Sequence, residues 1–112
     1  MADLDKLMAL DGAVAAFSFS SSGELEDSKI ESGSELTPAT LDMIAHVCVA
    51  NTAIATMQAR GWENMTGMGG FYPVKGFSLV GFDWTVIANG CCGVVVPNDK
   101  VDYEAAYAAL DG

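Results

Sequence analysis

The chain has 112 residues, 51% of them hydrophobic, and a formal net charge of -10 from fifteen carboxylates against five Lys or Arg; its pI is about 4.1 and its mean hydropathy +0.29. That length fits one domain over residues 1–112, and so acidic a balance excludes nucleic-acid backbones and anionic membrane surfaces as partners, since both need clustered cations. The hydrophobic share is high for a globular chain, so part of it is expected to face a partner. No cationic leader precedes an apolar segment, and no apolar run reaches the ~18 residues of a membrane span. Three cysteines without the spacing of a disulfide framework add to the expectation of a cytoplasmic protein in a reducing compartment.

In chain order, Asp3 can cap a short amphipathic helix carrying Leu4, Leu7 and Met8, with Gly12 as its left-handed stop. "GAVAAFSFSSSGELEDSKIESG" then changes to the strand period. Ala13 to Ser20 run out, Ser21-Ser22-Gly23 turn, and the chain returns through Leu25 and Ile30. Glu24, Glu26, Asp27, Lys29 and Glu31 mark that return strand as a sheet edge. Thr37 as N-cap and Pro38 at the first position open a long helix predicted to end at Arg60, with Gly61 just beyond, about 34 Å in all. The following "GWENMTGMGGFYPVKG" holds five glycines and a proline in sixteen residues, too broken for a regular element. Strands are predicted at Phe77–Gly81, Trp84–Ala88 and Gly93–Val96, with Asn89-Gly90 as a type I′ hairpin turn. Asp99 caps a last helix whose inner stripe is Tyr103, Tyr107 and Leu110. The "LDG" at 10–12 and again at 110–112 reads as the same helix-end chemistry used twice, not as an internal repeat.

The order α-β-β-α-β-β-β-α predicts an α+β fold: a three-layer α-β-α sandwich with a five-stranded antiparallel sheet, the long helix on one face and the terminal helices on the other. The long helix is greasy on two sides. Leu41, Ile44, Ala45, Cys48, Thr52 and Ala55 fall on one face of its wheel, and Met43, Val47, Ala50, Ile54 and Met57 fall nearly opposite. The first face suits the sheet. The second, flanked by Asn51 and Gln58, suits a two-fold copy of the chain, because such an interface sets one patch against itself. The plain alternative is that the 62–76 loop folds over it.

Candidate chemistry is sparse. His46, the single histidine, lies one turn after Asp42, an i,i+4 surface pair with no nucleophile on its seam. His46 and Cys48, two apart on a helix, point away from each other and cannot grip one metal ion; Cys48 reads as core. Cys91 and Cys92, as neighbours in an extended segment, are expected to face opposite ways. No metal site and no cofactor site are expected, "GMGG" is not a phosphate motif, and no enzyme activity is expected. The best place for a specific contact is the glycine-rich stretch, where Trp62, Met65, Met68, Phe71 and Tyr72 offer adaptable apolar surface.

The element order, the first hairpin "GAVAAFSFSSSGEL", the helix "LDMIAHVCVANTAIATMQARGW" and the hairpin "WTVIANGCCGVVV" together resemble the roadblock/dynein light chain class, and more narrowly a small bacterial family of that class. The resemblance spans nearly the whole chain. It implies a roadblock/profilin-like fold and a homodimer whose long helices lie side by side, with the sheet continuing across the interface through Phe77–Gly81. It also implies a regulator of small GTPases or a scaffold that bridges larger assemblies. The expected function is therefore a non-catalytic, homodimeric interaction or regulatory module that docks another cytoplasmic protein. The alternative is a small-ligand or redox sensor using the 61–76 loop or Cys91 and Cys92.

Overall fold

A computed structural model of the chain describes residues 3–111; Gly112 of the second "LDG" lies outside them. The elements are α1 (Leu4–Met8), β1 (Ala15–Phe19), β2 (Leu25–Ile30), α2 (Pro38–Thr66), β3 (Phe77–Val80), β4 (Trp84–Ala88), β5 (Cys92–Pro97) and α3 (Tyr103–Asp111). The five strands form one antiparallel sheet in the order β2-β1-β5-β4-β3, the α+β sandwich expected. The acidic β2 is an edge, as its charges require, and β3 is the other.

The sheet separates two cores. On one side Leu4 and Leu7 of α1 and Ala106 and Leu110 of α3 close over Ala16, Ile87, Cys92, Val94 and Val96. On the other, Leu41, Ala45 and Cys48 of α2 close over Ala15, Phe17, Phe19, Ala88 and Val95. Alternation along each strand produces this division, since neighbouring side chains leave on opposite faces. Gly93 pairs with Phe17 across β1 and β5, and a Cβ there would meet the Phe17 ring at 2.5 Å. Its missing side chain is what lets the largest core ring lie flat on the sheet.

Several boundaries differ from expectation. α2 does not stop at Gly61; it runs 29 residues to a left-handed Gly67 (φ 70°), whose N–H donates to the Glu63 carbonyl. A mid-helix glycine costs only ~1 kcal/mol, which the good helix formers around it offset. α2 is long and apolar enough to cross a membrane by length and composition, although Asp42, His46 and Asn51 interrupt its apolar residues so that no unbroken apolar run reaches that length. The β4–β5 connection is not a type I′ turn, because neither Asn89 nor Gly90 has a positive φ. Instead the Asn89 side chain closes it: its Oδ1 accepts from the N–H groups of Cys91 (3.0 Å) and Cys92 (2.8 Å). Asp102, not Asp99, caps α3, accepting from the Ala105 N–H. Tyr103 is exposed, so the inner stripe is Ala106 and Leu110, with Tyr107 half-buried and its hydroxyl 2.9 Å from Ser78 Oγ. Gly12 is left-handed but lies past Ala9, the actual C-cap of α1.

Asp42 has a role its surface position hid. Its Oδ1 accepts from the N–H of Leu25 at 2.9 Å, tying the second turn of α2 to the start of β2. His46 donates from Nδ1 to the Asp42 carbonyl (2.7 Å) and lies 3.8 Å from its carboxylate. Removing the carboxylate in Asp42→Ala leaves the Leu25 N–H without its acceptor, so a loss of about 1–3 kcal/mol is expected in urea unfolding, whereas His46→Ala is expected to cost no more than about 0.5 kcal/mol.

Burial pushes the Cys48 thiol up to about 11 from 9.0. A thiol held protonated in the fold and free to ionise when unfolded destabilises the folded state as pH climbs, so its contribution is full below pH 9 and is lost between 9 and 11. Wild type is expected to lose up to about 2–3 kcal/mol over that window relative to Cys48→Ala, with a constant difference below pH 9; denaturant melts at stepped pH read this directly.

Candidate interaction surface

Four strand-to-strand gaps of ~4.8 Å make a five-stranded sheet ~19 Å wide, while a helix is only ~10 Å across. Two helices, α1 and α3, share one face. On the other α2 stands alone and packs on β1 and β2, where the Asp42–Leu25 bond holds it. The α2-facing side of β3 and β4 therefore has no full cover among the described residues. Leu79 is 46% exposed and Trp84 49%, and Phe77 and Val86 beside them are half-buried. An open groove of about 690 Å³ lies between the β4 part of this strip and the start of α2, with Val14, Val86, Val95 and Trp84 on one side, Leu36, Thr40 and Ile44 on the other, and the polar 31–35 loop at its end.

The outer face of α2 is open too. Met43 is 62% exposed, Val47 43%, Ile54 55% and Met57 76%; Ala50 and Gln58 are exposed and Asn51 is half-buried. Among the described residues no segment folds over this stripe. The glycine-rich segment packs elsewhere, on the last two turns of the helix. Glu63 Oε2 accepts from the N–H groups of Phe71 (3.1 Å) and Tyr72 (3.0 Å). Arg60 donates to the Tyr72 hydroxyl at 2.8 Å and stacks 4.5 Å from its ring centroid, and Trp62 meets Phe71 edge-on at 5.6 Å.

The expected partner-binding set is thus split by the longer helix. Trp62 and Met65 project from its final turns, and Met68, Phe71 and Tyr72 come from the loop that doubles back on them. All five are exposed, Met65 most of all. They form one apolar end to the molecule, continuous along α2 with the Met57 stripe.

Leu79, Val80, Phe82 and Trp84 are surface residues that the sequence reading does not single out. The signal was present in the alternation: Thr85 and Ile87 are buried on the α1/α3 side, which leaves Trp84 and Val86 for the other. Phe82 is 99% exposed at the tip of the β3–β4 hairpin, where Asn98 Nδ2 donates to the carbonyls of Gly81 (2.9 Å) and Phe82 (3.0 Å) and Thr85 donates to Asn98 Oδ1 at 2.7 Å. The ring is presented on a braced turn. Among the described residues no group of three or more His, Cys, Asp or Glu side chains is placed to hold a metal ion. Cys91 and Cys92 do not face opposite ways: their Sγ atoms lie 3.3 Å apart, because Cys91 sits in the turn and only Cys92 has entered β5.

With this architecture in view, solved structures place the fold. A roadblock/LC7 domain from Streptomyces avermitilis superposes with a TM-score of 0.67 at 14% identity, over 96% of this chain and 83% of that one. A structure described as MglB with a tetrameric arrangement gives 0.70 at 14% identity, over 95% and 75%, and the gliding protein mglB from Thermus thermophilus gives 0.63 at 17%, over 96% and 85%. The fold is that of the roadblock class. The chain belongs to the family described as "Uncharacterized conserved protein (DUF2173)", whose model matches residues 3–112. A comparison with curated proteins gives no match.

The loop's attachment makes a separable prediction. Glu63→Ala removes the carboxylate that accepts two backbone N–H groups, so amide exchange at Phe71 and Tyr72 is expected to rise at least about tenfold, with little change in the midpoint of global unfolding.

Proposed function

We propose that this protein is a non-catalytic, homodimeric interaction or regulatory module of the bacterial cytoplasm. The observation that carries the reading is that two apolar surfaces stand bare on the same side of the sheet: the Met43–Met57 stripe of α2 and the Leu79–Trp84 strip beside it. Large apolar side chains grouped and exposed in this way are the kind of surface that marks an interaction site. A two-fold copy supplies a second α2 on the side where one is missing and sets the methionine stripes against each other, with Asn51 and Gln58 on the rim. Because β3 is an edge strand, the same operation allows the sheet to run on from one copy into the next.

In this reading the outward partner is another protein, met by the apolar end formed by Trp62, Met65, Met68, Phe71 and Tyr72. The roadblock resemblance favours a small GTPase or a larger assembly bridged by the dimer. The length of α2 does not make it a membrane span here, since Leu41, Ala45, Cys48 and Ala59 are buried and three of them lie on a sheet that bilayer lipid cannot replace. A second reading, a redox sensor, has one observation in its favour, the close approach of the Cys91 and Cys92 sulfurs.

Light scattering on a gel-filtration column tests the dimer. Wild type is expected at twice the 11.7 kDa chain mass, and Ile54→Glu, Met57→Glu and Trp84→Glu are each expected to lower it to one chain or to aggregate, while Met65→Glu at the apolar end leaves the dimer intact. Folded Ile54→Glu and Met57→Glu proteins that remain dimeric would overturn the assignment of the α2 stripe.

A further inference from the structure

We infer that Cys91 and Cys92 form a peroxide-responsive pair that closes to a vicinal disulfide, an inference independent of the dimer. The sulfurs are 3.3 Å apart, already inside the separation from which a thiol can attack its neighbour and short of the ~3.8 Å that two thiolates span on a tetrahedral zinc. Their exposures differ in the sense that oxidation needs. Cys91 is half-buried and reachable from solvent, while Cys92 is fully buried. An external ion or metalloid would have to reach both sulfurs. A hydroperoxide has to reach only the first.

The chemistry balances within the pair and one oxidant. The Cys91 thiolate attacks one oxygen of hydrogen peroxide, the O–O bond breaks, and the departing hydroxide takes up the thiol proton as water; Cys91 is now a sulfenic acid, oxidised by two electrons. Cys92 Sγ then attacks Cys91 Sγ, the S–O bond breaks, and hydroxide leaves with the Cys92 proton as a second water. Two thiols and one peroxide give one disulfide and two waters. Cys48 cannot take the resolving part, for it lies in the core on the opposite side of the sheet from Cys92.

The location gives the bond something to move. Asn89 Oδ1 holds both cysteine N–H groups, and Asn89 Nδ2 donates to the Leu110 carbonyl at 3.1 Å, so the turn is clasped to the last turn of α3. Drawing the sulfurs to the ~2.05 Å of a disulfide closes a small ring around the 91–92 peptide and rotates the N–H groups that Asn89 grips. Oxidation is thereby coupled to release of the end of α3.

Intact-mass spectrometry of the full chain after one equivalent of hydrogen peroxide is the test. Wild type is expected to lose the mass of two hydrogens without becoming a covalent dimer, and to regain it with dithiothreitol. Cys92→Ser is expected instead to gain one oxygen in a form trapped by dimedone, and Cys91→Ser to keep its mass. Wild type that gains oxygens, or that is unchanged, would overturn the pair; so would a Cys92→Ser variant that still loses two hydrogens, which marks a sulfenamide to backbone nitrogen. Faster amide exchange in 103–111 of the oxidised protein supports the coupling to α3, and unchanged exchange there overturns that coupling.

Discussion

One helix cannot cover one side of a five-stranded sheet. The width of the sheet is set by hydrogen-bond geometry and the width of the helix by its side chains, and the ratio is close to two. On the α1/α3 side two helices meet the requirement. On the α2 side the bond from Leu25 N–H to the Asp42 carboxylate holds the single long helix toward the β2 edge, and the far part of the face, at Leu79 and Trp84, stays open. The exposed Leu79 and Trp84, the open groove against Ile44 and the proposal of a second copy all descend from that mismatch.

The two-faced composition of α2 is the sequence counterpart of the same geometry. Its buried residues Leu41, Ala45 and Cys48 meet the sheet of their own chain, while Met43, Val47, Ile54 and Met57 face away. A helix lying at the middle of a two-chain layer needs apolar character on both flanks; one capping a finished monomer does not. Methionine suits such a seam because its unbranched side chain adapts to a matching copy of itself.

The sequence was legible where hydrophobic period and capping chemistry act locally. Thr37 and Pro38 open α2 where expected, the acidic β2 lies at an edge, and Trp84–Ala88 is a strand to the residue. It was illegible where a side chain from elsewhere decides. Gly61 looked like a stop, but only Gly67 takes the left-handed conformation, and the turns between carry Trp62 and Met65 onto the helix. Asn89-Gly90 looked like a type I′ turn, yet the Asn89 side chain supplies the bonds that a positive-φ backbone would have made. The same turn brings Cys91 out of the strand and beside Cys92. Of the candidate surface, the α2 stripe could be read from its wheel, whereas the Leu79–Trp84 strip depended on knowing which half of the sheet α2 leaves uncovered.

The most direct measurement is an isotope-filtered nuclear Overhauser experiment on a sample in which one copy carries labelled methyl groups and its neighbour does not. Contacts are predicted from the Met43, Ile54 and Met57 methyls of one copy to protons on α2 or on the β3–β4 strip of the other. A well-folded sample that yields no such contacts and tumbles as a single 11.7 kDa chain would contradict the account.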